Sequence, residues 1–236
     1  MLCSTVREIL DTQRRNTVRK MRFVIKISKN EIESKSYTQL KEDSESFANV
    51  LKELGEQGKH ISVIGMTSYA WLVTYFGTVN SGSVIVPLDV NLPAEDVCDL
   101  IARSDSTVLV YDEVRKDVAA IAKDRCPQLK TVISMQQAEH DGHAYSYWKL
   151  LDEHKGAFDY APDPDQLCTI MFTSGTTGKS KGVMLTHRNC GGECHMPGYE
   201  DPGEDGNHDR APDPSRILSE YGYLKGCFAG RCDLHQ

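Results

Sequence analysis

The sequence predicts an α/β protein with a largely parallel sheet flanked by helices, and two observations predict it. Strand and helix signals alternate from about residue 22 to 189, with helices of roughly ten residues between the strands. The composition, 39% hydrophobic and 26% charged, is that of an ordinary globular chain with a core to bury.

Arg22 to Ser28 alternates like a strand. Residues 36–55 read as a helix, with Thr38 as its N-cap, apolar Leu40, Phe47, Val50, Leu51 and Leu54 at helical spacing, and Gly55 as its end. Ile61 to Ile64 is a short buried strand, and residues 68–81 form a helix that stops near Gly82. Residues 83–89 are a strand closed by Pro87. Pro93 to Arg103 is a helix with proline at its start, followed by a strand from Thr107 to Tyr111. Helices are expected at Val114–Asp124 and Tyr145–Lys155, with a strand at Thr131–Ser134 between them. The stiff stretch APDPD (161–165) then leads into a strand from Leu167 to Phe172.

The net charge of −7 argues against a nucleic-acid binder, which is usually basic. No apolar run approaches the roughly 18 residues that a spanning helix needs, so no transmembrane segment is expected. The basic N-terminus carries Glu8 and Asp11, which transit peptides avoid, and reads as a surface helix over 1–21. With no secretory signal, and with Cys3, Cys98, Cys126 and Cys168 scattered as cytosolic thiols are, the expected compartment is the cytoplasm.

The chemistry is concentrated in MFTSGTTGKSKGVMLTH (171–187). Glycines let backbone N–H groups approach an anion, hydroxyls add donors and lysine adds charge, which is the composition of a phosphate loop. The nucleotide-hydrolase type of loop fits Gly178-Lys179-Ser180, but it needs glycine where Thr173 stands, and it must open a helix. A ligand-free polar turn is the plainest alternative.

Thr173-Ser174-Gly175-Thr176-Thr177-Gly178, then Lys181-Gly182-Val183 and Thr186-His187, closely resemble the signature loop of the adenylate-forming (AMP-binding) acyl-CoA synthetases and ligases. That pattern reads TSG, Ser or Thr, TG, one variable residue, then PKGV; this chain departs from it only at Ser180, where the pattern has proline. Upstream, SYTQL (36–40) and TVNSGSVIVPLDVNLP (78–93) are similar to the same family, and the wording GVMLTHRN leans toward its fatty-acyl-CoA branch. The resemblance implies the fold of that family's N-terminal domain, present in part. It also implies a two-step reaction: a carboxylic, fatty acid attacks the α-phosphate of ATP, and CoA then takes the acyl group, with Mg²⁺ on the phosphates. By the same resemblance Thr173, Ser174, Gly175, Thr176, Thr177 and Gly178 would bind the nucleotide, and Lys181 would act as the catalytic cation.

The family also uses downstream groups: a magnesium-binding Glu after a Tyr-Gly motif, a ribose-binding Asp and a lid lysine. Here Tyr221-Gly222-Tyr223 is followed by Leu224 and Lys225, and the expectation is a chain inactive on its own. Residues 190–216 are dense in Gly, Pro, Asp and His, with Met196 as their one long aliphatic side chain. Such a segment cannot offset its ordering entropy by burial. The domain reading is therefore an N-terminal helix over 1–21, a partial adenylation domain over 22–189, and an irregular tail over 190–236. Cys190, Cys194, His195, Cys227, Cys232 and His235 could be grouped as a zinc site, but the spacings are wide and no metal is assigned. His187 is expected to begin a helix in a structural role, and Lys179 to be a solvated neighbour of the loop.

Overall fold

A computed structural model describes residues 5, 7–8, 22–26, 32–66, 68–173 and 180–192. The helix expected over 1–21 therefore lies mostly outside the described residues, although Arg7 and Glu8 are helical, and so does the tail from 193 onward. β1 (Arg22–Lys26) pairs antiparallel with β2 (Ile32–Ser36) in a two-stranded sheet of its own. The partner strand was not legible because IESKS lacks the apolar alternation by which a strand is recognised.

α1 (Tyr37–Glu53) follows β2 directly and is capped by Ser36, not by the expected Thr38. Ser36 holds the extended backbone that a cap requires, and its hydroxyl accepts a 3.0 Å bond from the Gln39 N–H, while Thr38 is already inside the first turn. β3 (His60–Ile64), α2 (Tyr69–Asn80, capped by Ser68) and β4 (Val84–Leu88) come next. Pro87 does not close β4 but sits inside it, opposite Val63 of β3. On the other side the ladder registers only Ile85 with Thr169, so the missing N–H of Pro87 breaks no registered pair there.

α3 (Ala94–Arg103) starts after Pro93 as expected, and β5 spans Ser106–Tyr111. The next helix begins as a 3₁₀ turn at Glu113–Arg115 and continues as α4 (Lys116–Arg125). After β6 (Thr131–Ser134), the stretch read as one helix from Tyr145 splits into a two-residue strand, β7 (Tyr145–Ser146), and α5 (Tyr147–Glu153). Pairing of Ile133 with Tyr145 at the sheet edge extends those two residues against helical propensity. β8 (Leu167–Thr173), β9 (Lys181–Thr186) and α6 (His187–Gly192) complete the described elements.

The seven strands run in the order β7-β6-β5-β3-β4-β8-β9, all parallel except β9. Successive side chains of a strand face opposite ways, and here each face has its own core. Ile61, Val63, Ile85, Val108, Val110 and Ile133 pack with α1, α2 and α5. Val84, Val86, Leu109, Tyr111 and Val132 pack with α3 and α4 on the other face. Burial on both faces is why these strands read as apolar runs.

α1 and α2 cross closely at Gly77, where a Cβ would lie 2.7 Å from the Ser44 carbonyl oxygen. Nearby, Tyr147 stacks on Phe47 at 5.5 Å and donates a 3.1 Å hydrogen bond to the Ala70 carbonyl. Burial pushes its phenol pKa well above the usual range. Tyr147→Phe should cost about 1 kcal/mol in denaturant unfolding, because Thr74, which also bonds this hydroxyl, keeps its own bond to Ala70. A cost near 3 kcal/mol would show that the hydroxyl organises more of the core than these two contacts.

Candidate functional site

β8 points its carboxyl end toward the same edge of the sheet as β3, β4 and β5. In open α/β sheets this is the edge where ligands bind. β8 stops at Thr173, and the chain returns antiparallel from Lys181, which pairs with Thr173. The candidate loop is thus the tip of a β-hairpin standing on the carboxyl edge. Of the residues expected to bind nucleotide, Thr173 is half-buried at the end of β8. Ser174, Gly175, Thr176, Thr177 and Gly178 lie outside the described residues, as does Lys179. Lys181 is exposed at the first position of β9. The hydrolase-type loop is excluded as a reading, because the residues after it form strand β9 and not a helix.

Two anchors hold the base of the hairpin. On one side, the Arg103 guanidinium at the end of α3 donates a 2.7 Å bond to the Ser180 carbonyl and lies 5.4 Å from the centre of the Phe172 ring. On the other, α6 docks on the segment before β8. There the His187 N–H bonds the Gln166 carbonyl, the Arg188 N–H bonds the Pro164 carbonyl, and the Arg188 side chain pairs with both Asp165 oxygens at 2.7 and 2.9 Å. That pairing holds the Asp165 carboxyl below its ordinary pKa. His187 is fully buried, neither ring nitrogen has a hydrogen-bond partner among the described residues, and burial pushes its pKa down to about 4. It is neutral at pH 7 and lies in the packing of the hairpin, away from solvent.

Of the cysteines and histidines that could be grouped around zinc, only Cys190 is among the described residues. Its Sγ lies 3.7 Å from Sγ of Cys168. That neighbour, together with burial, pushes the Cys168 thiol pKa far up. Among the described residues no three His, Cys, Asp or Glu side chains gather as a metal site. No helix among them is long and apolar enough to cross a membrane.

A family model for AMP-binding enzymes matches residues 10–210. The chain belongs to that family. Its relatives include the rat protein named long-chain-fatty-acid–CoA ligase 5, 32% identical over 171 residues, covering 65% of this chain and 25% of the rat protein. Another is the D-alanine–D-alanyl carrier protein ligase of Streptococcus equi, 31% identical over 160 residues, covering 66% of this chain and 28% of that protein. The chain therefore spans about a quarter of the length of these relatives. Among solved structures, ATP-bound MatB from Rhodopseudomonas palustris superposes with a TM-score of 0.60 at 26% identity, over 79% of this chain and 35% of that one. Anthranilate CoA ligase AuaEII with anthranoyl-AMP gives a TM-score of 0.65 at 18% identity, over 77% of this chain and 34% of that one, and supports the fold alone. The family resemblance and the α/β fold read from the loop and the element pattern are thereby established. The family's signature does not point to Arg103, which comes from a helix 77 residues before Ser180 and carries no mark in the sequence.

Proposed function

We propose that this chain forms the phosphate-binding part of a ligase that activates a carboxylic acid of the fatty class at the expense of ATP. The acid's carboxylate oxygen attacks the α-phosphorus, the bond to the bridging oxygen breaks, and pyrophosphate leaves with that electron pair. The thiol of CoA then displaces AMP to give the thioester. The observation that carries this reading is a hydroxyl- and glycine-rich loop at the tip of a hairpin on the carboxyl edge of a parallel sheet, with Lys181 exposed at its base. In this reading Thr173, Ser174, Gly175, Thr176, Thr177 and Gly178 donate to the leaving phosphates, and Lys181 offsets the charge that develops on them. Mg²⁺ would sit on the phosphates, as the family resemblance implies, and no step is routed through it. The unpaired thiols Cys98, Cys126 and Cys168 favour a cytoplasmic setting, and the net charge of −7 favours small-molecule partners over nucleic acid.

The test is calorimetric titration of the chain and of Lys181→Ala with ATP and Mg²⁺, beside a pyrophosphate-release assay with CoA and a panel of fatty acids. The chain should bind ATP with a Kd of about 1 mM, and the variant about tenfold more weakly. Each positioned donor missing from such a site lowers the rate by roughly 10²–10³, so acid-dependent release by this chain alone should stay at background. Equal affinity of the two proteins would remove Lys181 from the site, and no binding by either would sink the reading.

A further inference from the structure

α3 packs on one face of the sheet and ends at Arg103, whose side chain leaves its own helix for the loop hairpin. An arginine in the last turn of a helix ordinarily serves that helix's own carbonyls and dipole. Arg103 instead donates to the carbonyl of Ser180, the residue just before β9, at 2.7 Å. The same guanidinium lies over the ring of Phe172, the penultimate residue of β8, at 5.4 Å. One side chain therefore touches both legs of the hairpin at the base of the loop. The second leg is also close to that ring, since a Cβ on Gly182 would lie 3.4 Å from it. No carboxylate forms an ion pair with Arg103 among the described ion pairs, so a backbone carbonyl and an aromatic face are its described partners. Ser180 has no ring to restrain its backbone, and the bond from Arg103 supplies a restraint from outside.

We propose that Arg103 is a positioning residue that brackets the two legs of the phosphate-loop hairpin and so sets where the loop presents its donors. The bracket stands on the geometry; its purpose rests on the nucleotide-binding reading above. A charge-assisted bond and a cation–aromatic contact at an exposed site are each modest, and together they hold a loop base without holding the fold.

The experiment compares the chain with Arg103→Ala and Arg103→Lys by amide hydrogen exchange, thermal melting and ATP titration. Amides of Thr173 and Lys181, paired at the hairpin tip, should exchange roughly three- to tenfold faster in Arg103→Ala, with Arg103→Lys between. Val110 in the sheet centre should be unchanged, and the melting temperature nearly so, because Arg103 is exposed. The Kd for ATP should rise by about three- to tenfold in Arg103→Ala. Unchanged exchange at Thr173 and Lys181 overturns the bracket, as does equal acceleration at Val110, which would be general destabilisation. Faster exchange with an unaltered Kd overturns the positioning role. A parent chain that binds no ATP defeats the functional reading instead, and the bracket is then decided by the exchange data alone.

Discussion

Alanine at Gly65 is expected to lower the free energy of unfolding by about 3–5 kcal/mol, the sum of backbone strain and overpacking. Gly65 follows β3 with φ +153°, a conformation that side chains rarely adopt. A Cβ there would lie 2.3 Å from the Asp112 Cβ and 3.4 Å from its Cα. Asp112 cannot retreat, because its N–H bonds the Ile64 carbonyl at 3.0 Å and its carboxylate caps the 3₁₀ turn through the Val114 N–H at 3.1 Å. Gly55→Ala is the control, with φ +71° and nothing within 4 Å of the added carbon. It should cost only about 1 kcal/mol, the backbone part alone. Urea unfolding should show a large fall in midpoint for Gly65→Ala at constant slope. Equal shifts for the two variants would show that the approach to Asp112 does not matter.

The second large effect is a loss of stability in mild acid that belongs to His187. Its folded pKa, about 4, is depressed below the ordinary value of 6.5 by burial, against a small opposing pull from Asp163. Between those two values the unfolded chain binds the proton and the folded one does not. Stability therefore rises with pH through this window, is complete above about 6.5, and is lost as pH falls toward 4. The loss should be about 3 kcal/mol. Asp117, Glu139, Asp141 and Asp165 are held below the usual carboxylate range by hydrogen bonds and ion pairs, so the stability they contribute is lost only as pH falls through the ordinary carboxylate range, at the acid end of this window and beyond. His187→Leu should flatten the profile between pH 6.5 and 4. It should not weaken the protein at pH 7, since it removes two buried nitrogens that have no partner among the described residues. An unchanged acid profile in the variant would assign the loss to other groups.

Much of the architecture was legible because the signals that make it are local. Thr131–Ser134 was read to the residue, and Ile61–Ile64 within one residue, since each is an apolar run bounded by polar residues. The misses lie where a distant neighbour overrides local preference. β6 draws Tyr145 and Ser146 out of a helical pattern, and β1 recruits the polar stretch Ile32–Ser36. At the candidate site, the hydroxyls, glycines and Lys181 raised the expectation of a phosphate loop, because small residues and charge at that spacing suit an anion.

By itself, then, the sequence determined the α/β class, the composition of the loop and the family to which the chain belongs. Tertiary structure decided that the loop tops an antiparallel hairpin, that Arg103 meets Ser180 across 77 residues of chain, and that His187 is buried without a described partner. The physical reason is one of range. Periodicity and turn chemistry act over a few residues and are written in order along the chain. Which side chains meet across the sheet depends on how whole helices pack onto it, and no stretch of sequence near either residue carries that information.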